Sequence, residues 1–222
     1  MTIQEAILAR HSVRSYLDKP IPADVLSALQ AAISACNAEG KLHIQLVVNE
    51  PKAFDSLMGH YGKFSGVQNY IALIGKREAD LEERLGYYGE RIALLAQTLG
   101  LNTCWVAASF SKGETKKNCA VDRGERLVCV LALGYGATAG VPHVSKPMDK
   151  LCRVEGQMPD WFRAGMEAAM LAPTAVNQQQ FRFTLAGDGD TVRSESLGGF
   201  FSKTDLGIVR YHFEIGAGRK IS

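Results

Sequence analysis

The sequence predicts an α+β fold, with a central, mostly antiparallel sheet flanked by helices. Two observations carry this. Helical segments are long, strand segments are short, and the two do not alternate regularly as a doubly wound sheet requires. The stretch 126–133 is apolar on both faces, which reads as an internal strand. In addition, no G-x-G-x-x-G follows a strand and no Walker sequence is present, so the usual nucleotide loops are missing.

The elements follow in order. Thr2 and Glu5 form a capping box, and Ile3, Ala6, Ile7 and Ala9 give helical spacing up to Arg10. Arg10-His11-Ser12-Val13-Arg14-Ser15-Tyr16 comes next, ahead of Pro20-Ile21-Pro22, and reads as fixed, irregular backbone. In an extended stretch, positions i, i+2 and i+4 point the same way. Arg10, Ser12 and Arg14 then aim two guanidiniums and a hydroxyl at one place, a chemistry suited to phosphate or to a carbonyl-bearing ring edge. Taken alone, the motif reads as readily as two solvated charges. A helix over 23–36 carries Leu26, Leu29 and Ile33 on one side and ends at Gly40; a strand spans 41–49. Pro51 opens a short helix to Met58, and 70–74 is a central strand. The longest helix, 79–99, is closed by Gly100; a strand (103–106), a small helix (111–118) and the internal strand follow. After a Gly/Pro-rich connection (134–147) comes a helix over 159–171, stopped by Ala172-Pro173. Residues 181–185 alternate as a strand, Gly187-Asp188-Gly189-Asp190 is a hairpin turn, and 204–215 is a last helix, opened by Thr204 or Asp205 and closed by Gly216.

Composition narrows the function classes. A chain of 222 residues with 46% hydrophobic and 22% charged content is an ordinary globular protein. Its net charge of +2 argues against a nucleic-acid partner, and no apolar run is long enough to span a membrane. The N-terminal segment lacks the basic region and apolar core of a signal peptide. The five cysteines form no C-x-x-C and no zinc spacing; free thiols in a reducing cytoplasm, without a metal site, are the expectation.

The chain also carries a faint repeat. Residues 29–48 lie over 166–185 without a gap, with Ala31-Ala32 on Ala168-Ala169, and Ile44, Leu46 and Val48 on Phe181, Phe183 and Leu185. Residues 92–100 resemble 208–216. On these residues alone, duplication and a chance likeness between amphipathic units stand about level.

Over its first 155 residues the sequence resembles the nitroreductase family of FMN-dependent oxidoreductases. The matching pieces are Arg10-x-Ser12-x-Arg14-x-Tyr16 with Asp18-Lys19-Pro20-Ile21-Pro22, then Leu99-Gly100-Leu101-Asn102-Thr103-Cys104-Trp105-Val106, then Leu131-Ala132-Leu133-Gly134-Tyr135 running to Lys146-Pro147. The resemblance implies that Arg10, Ser12 and Arg14, with His11 beside them, bind the FMN phosphate and ring edge. It places Val106, Ala107 and Ala108 along the flavin N5 face, Lys146 at the phosphate, and Lys63, a weaker match, near the pyrimidine. The family motif A-P-[ST]-x-x-N-x-Q-P is lost from 35–41 and reappears as Ala172-Pro173-Thr174-Ala175-Val176-Asn177-Gln178-Gln179. In ordinary members that motif comes from the partner subunit. The resemblance therefore implies a nitroreductase-like half (1–155) and an abbreviated duplicate (156–222) whose Pro173, Thr174 and Asn177 complete one flavin site, as a monomeric pseudo-dimer or a homodimer. The chain looks similar to a subgroup of nitroreductases with this arrangement.

Other residues have blander readings. Trp105 and Cys104 suit the core, His11 reads equally as a surface imidazole, and one of Tyr87 and Tyr88 either lines a substrate cavity or packs. Phe200-Phe201 forms a lid or packs. No Ser-His-Asp or Cys-His arrangement occurs, and no side chain is expected to be an obligatory acid or base, since a flavin carries the chemistry itself. Three functions are in view. The first is an NADH- or NADPH-dependent reductase acting on an electron-poor acceptor such as a nitroaromatic or quinone. The second is a non-enzymatic flavin-binding sensor or store, and the third an interaction module that has lost flavin.

Overall fold

The computed structural model describes residues 1–55 and 62–221. It divides into two compact units. One comprises 9–81 and 92–142, and the other 1–8, 82–91 and 143–222.

Helix α1 (Ile3–Ala9) opens with the expected capping box: the Thr2 amide donates to Glu5 Oε2 at 2.7 Å, and the Glu5 amide donates to Thr2 Oγ1 at 3.2 Å. The first unit then builds α2 (Ala23–Gly40), β1 (Gln45–Val47), β2 (Asn69–Lys76), the C-terminal part of α3 (Leu81–Thr98), β3 (Asn102–Val106), α4 (Lys112–Lys117) and β4 (Glu125–Gly134). Its four-stranded sheet has the order β1-β2-β4-β3, and every pair is antiparallel. β4 is buried from Leu127 onward, as its two-faced apolar pattern requires. On one face of the sheet Phe54, Phe64, Tyr70, Ala72, Val106, Val130 and Ala132 form a core that also takes in Val13 and Tyr16.

Two boundaries in this unit differ from expectation. No helix breaker lies between Ala35 and Glu39, so α2 runs on to Gly40, and Lys41 turns the chain in the left-handed region at φ 50°. The Asn37 side chain, on the last turn, then brackets Ile44. Its Nδ2 donates to the Ile44 carbonyl at 2.9 Å, and its Oδ1 accepts the Ile44 amide at 2.7 Å. Ile44 is thereby bonded to a side chain instead of a neighbouring strand, and β1 keeps three residues of the expected nine. The helix expected from Pro51 to Met58 begins as a 3-10 turn, Pro51–Ala53, capped by Glu50; a turn and a bend follow at 54–55, and 56–58 lie outside the described residues. Where β4 begins, Glu125 Oε2 lies 2.8 Å from His43 Nδ1 and accepts the Asp122 amide at 2.9 Å, which closes the preceding turn.

The second unit contains α5 (Met148–Leu151), β5 (Cys152–Val154), α6 (Asp160–Ala169), β6 (Phe181–Leu185), β7 (Val192–Ser196) and α7 (Ser202–Ala217). A three-stranded sheet, β5-β6-β7, joins β5 to β6 in parallel and β6 to β7 in antiparallel register. The α+β class holds, but this second sheet adds to the one that the sequence suggests. The β6–β7 turn is the expected one: Asp188 accepts the Asp190 and Thr191 amides, both at 2.9 Å, and the Thr191 hydroxyl at 2.6 Å.

Helix α7 starts before both Thr204 and Asp205, the two residues expected as alternatives to open it, and passes through Gly216, which was expected to close it; Gly218 closes it at φ 66°. Gly216 is there for space: a Cβ would stand 2.5 Å from the Ala164 carbonyl of α6. Along residues 82–91 of α3, Gly86 and Gly207 allow the two helices to cross with backbone against backbone; a Cβ on Gly207 would overlap the Glu83 carbonyl. Polar groups tie the same crossing. Arg210 Nη1 donates to Glu83 at 2.6 Å, and Tyr87 donates to Glu214 at 2.6 Å. His212 and Glu90, both fully buried, meet at 2.8 Å. The Ala168 carbonyl, 3.1 Å from His212 Nδ1, can only accept, so Nδ1 carries a hydrogen and the His212–Glu90 bond shares a further proton. The aromatic core stacks Phe183 on Phe213 at 4.5 Å with Phe162 edge-on, each ring contributing about 2–3 kcal/mol of burial.

Candidate functional site

The Arg10–Tyr16 strip is held by three separate segments of the first unit. Ser12 bridges Thr103 of β3 in parallel, and the Val13 amide donates to the Thr103 carbonyl at 3.1 Å. Ser15 bridges Ser65, with the Tyr16 amide donating to the Ser65 carbonyl and the Ser65 amide to the Arg14 carbonyl, both at 3.0 Å. Tyr16 bridges Gly136, and the Ala137 amide donates to the Ser15 carbonyl at 2.8 Å. Val13 and Tyr16 are buried and anchor the strip, the Tyr16 hydroxyl donating to the Val13 carbonyl at 2.7 Å.

This anchoring sets the polar side chains. Arg10 is 5% exposed, Ser12 is half-buried and Arg14 is exposed, so the reading of two solvated charges fails for Arg10. All three influence the Cys104 thiol of β3. Burial pushes the Cys104 thiol up, while the Arg14 and Arg10 charges and a hydrogen bond with Ser12 pull it down. Burial likewise holds the Tyr16 hydroxyl well above its ordinary value, and the same two guanidiniums oppose the shift. Two cations and a hydroxyl from i, i+2 and i+4 therefore act at one location. Cys104 itself is buried and behaves as a core residue, as expected. His11 has a structural commitment: its Nδ1 donates to the Ala139 carbonyl at 3.2 Å.

The other residues of the expected flavin set in this unit lie around the end of β3. Val106 is the last strand residue and is buried; Ala107 is half-buried and Ala108 exposed, in the bend beyond. Lys63 is exposed in a left-handed turn at φ 60°. Its neighbour Gly62 packs against Ser109, a Cβ there standing 2.5 Å from Ser109 Cβ. The Lys63 turn and the 107–109 bend are thus adjacent.

In the second unit, Thr174, Asn177 and Lys146 belong to one hydrogen-bonded cluster, and Pro173 directly precedes it in the chain. Residues 174–179 form a tight turn in which Val176, Asn177 and Gln179 all have positive φ (46°, 55° and 47°). Non-glycine residues seldom adopt this region, and a β-branched one such as Val176 is a real outlier. Side chains hold the turn. Thr174 Oγ1 accepts the Gln179 amide at 3.1 Å. Asn177 Nδ2 donates to the Val144 carbonyl, and Asn177 Oδ1 accepts from Gln179 Nε2, both at 2.9 Å. Lys146 Nζ donates to the Gln178 carbonyl at 2.6 Å and to the Gln179 carbonyl at 3.2 Å. Pro173 is buried and Val176 is 91% exposed.

Two further residues of this cluster escaped the sequence reading. Gln179, 3% exposed, accepts the Lys146 amide at 2.7 Å and donates to the Val144 carbonyl at 2.9 Å. Its place at the end of the motif was the only signal. Asp205 had been expected to open α7. Instead, its carboxylate reaches across to accept the Ala175 amide at 3.0 and 3.1 Å and Gln178 Nε2 at 2.7 Å. No sequence pattern announces such a tertiary bond. Phe200 and Phe201 remain 78% and 40% exposed, so the packed alternative does not hold for them. Tyr87 takes the packed alternative, edge-on to Tyr211 at 5.1 Å.

Comparison with known proteins matches the chain to one family. A family model described as "Putative TM nitroreductase" matches residues 2–217. A "putative nitroreductase" structure from Thermotoga maritima superposes with a TM-score of 0.69 at 23% identity, covering 99% of this chain and 87% of that one. A "Putative NADH dehydrogenase/NAD(P)H nitroreductase" from Bacteroides thetaiotaomicron gives 0.53 at 21% identity, covering 67% of this chain and 95% of that one. A protein of the same description from Parabacteroides distasonis gives 0.53 at 19%, with the same coverage. No curated protein matches. At these identities the structures establish a shared fold, and the family model, spanning nearly the whole sequence, establishes that the chain belongs to this nitroreductase family.

Proposed function

We propose that the protein is an FMN-dependent oxidoreductase that takes reducing equivalents from NADH or NADPH and delivers them to an electron-poor acceptor such as a nitroaromatic or quinone. The observation that carries this reading is a strip pinned by bridges at Ser12, Ser15 and Tyr16, from which Arg10, Ser12 and Arg14 all act on the Cys104 thiol in the middle of β3. Its chemistry fits FMN: two guanidiniums and a hydroxyl on pinned backbone suit a dianionic phosphate or a carbonyl-bearing ring edge. FMN, if bound here, would supply the hydride-transfer chemistry that no side chain provides. The chain's own residues bind and orient. Arg10 and Arg14 neutralise negative charge, and the bend at 106–108 offers backbone N–H groups. By the Ala172–Gln179 motif, Lys146, Pro173, Thr174 and Asn177 serve the same cofactor, on which reading residues 156–222 are an abbreviated duplicate. The five cysteines are free thiols, four of them buried, which suits a reducing cytoplasm.

Titrating FMN by flavin fluorescence tests the binding half of this reading. Arg14→Ala is expected to weaken binding by about tenfold or more, the loss of one charge-assisted bond, and Arg14→Lys to recover only part of it. Wild-type affinity in both variants would remove the strip from the flavin site.

A further inference from the structure

The left-handed turn at 174–179 combines two features that are unfavourable on their own. Val176, Asn177 and Gln179 occupy a backbone region that disfavours side chains, and Val176 also exposes its apolar side chain. Such a turn persists only when its surroundings over-determine it. Part of that constraint comes from within the turn and from Lys146. The rest comes from Asp205, on a different element.

Asp205 is 5% exposed and sits in the first turns of α7. Its Oδ1 and Oδ2 accept the Ala175 amide, and Oδ2 accepts Gln178 Nε2; the same Nε2 donates to the Phe200 carbonyl at 2.6 Å. One carboxylate thereby ties the start of the turn at Ala175 to its far end at Gln178, and Gln178 in turn holds the Phe200 carbonyl. The partners of Asp205 are all neutral. Burial pushes its carboxyl up to about 6 while the Gln178 and Ala175 donors pull it down, so holding it ionised costs stability. A buried carboxylate among neutral donors is a poor choice for stability and a good one for geometry, because its two oxygens share the Ala175 amide while one of them also receives Gln178 Nε2.

We propose that Asp205 is a positioning residue for the 173–177 segment, holding the left-handed turn so that its polar groups are preset for the cofactor. This rests on the FMN reading above. Asp205 acts through Ala175 and Gln178 and is not itself assigned to the cofactor.

The test combines three measurements on the full chain of the wild type and Asp205→Asn: amide hydrogen-exchange protection across 174–179, FMN affinity by fluorescence titration, and the thermal midpoint. An asparagine keeps one acceptor and turns an NH2 group toward a donor. Protection in the turn is therefore expected to fall about tenfold, and FMN affinity by a similar factor, the equivalent of one charge-assisted bond. The thermal midpoint is expected not to fall, since relief of the buried charge offsets the lost bond. Gln178→Leu removes the carboxylate's other partner and is expected to reproduce the losses in protection and affinity, which keeps the test open should Asp205→Asn fail to fold. Unchanged protection in the variants overturns the proposal, as does a lowered midpoint with unchanged FMN affinity, the mark of a purely structural residue. A wild-type protein that binds no FMN, with protection still lost in the variants, places the failure in the FMN reading and leaves Asp205 as the support of the turn.

Discussion

Arg10 and Arg14 are separated by four positions and differ sharply in burial, yet both charges act on the Cys104 thiol. The i, i+2, i+4 spacing was legible because extended backbone has a fixed side-chain period. The depth of Arg10 was not, since it depends on how Val13 and Tyr16 enter the core. Two expected outcomes belong at this scale. Thr174→Ala and Asn177→Ala should each weaken FMN binding, by several-fold to tenfold, as each loses a side-chain bond that holds the turn; equal affinity in both, by the same fluorescence titration, would reduce the motif to a helix terminator. Asp205 sets a pH dependence. Its folded carboxyl titrates at about 6 against an ordinary 3.8, so between these values the native state binds more protons than the unfolded chain. Stability should therefore fall as pH rises through that window and level off above it, by about 3 kcal/mol for a shift of this size. Urea unfolding at pH 4 to 7 measures this, and the Asp205 share of the slope should vanish in Asp205→Asn.

At the scale of elements, local chemistry that stays within a few residues was readable. The Thr2–Glu5 box, the 181–185 strand and the Asp188 turn are where the sequence puts them, because each is decided by neighbours in the chain. Elements decided by distant partners were not. β5 has three residues and exists only by pairing with β6, and β1 is shortened by the Asn37 side chain. Gly216 read as a helix end, although it is a packing surface for α6. The α3–α7 crossing yields a sharp expectation. Gly207→Val drives a side chain into the Glu83 backbone and should destabilise by about 3 kcal/mol or more, at the upper end of overpacking. Phe213→Ala, which empties the stacked position over Phe183, should cost about 3–5 kcal/mol. Urea midpoints check both, and a loss below about 1 kcal/mol would mean that the crossing repacks around Gly207→Val, or the aromatic core around Phe213→Ala.

For the whole molecule, the α+β class and the family were legible because several short motifs recur in one order over the chain, and the family model spans residues 2–217. Among the described residues no helix is long and apolar enough to cross a membrane. What the protein does with a reductant was not legible, because on the FMN reading no diagnostic acid, base or nucleophile is required of the chain. That question is also the most direct to settle. The purified protein, loaded with FMN, is mixed with NADH or NADPH under argon while the flavin absorption bands are followed. The reading as a reductase expects the bands to bleach with at least one of the two donors and to return when a quinone or nitroaromatic is added. Bands that persist with both donors would contradict it, and would leave a protein that holds flavin without turning it over.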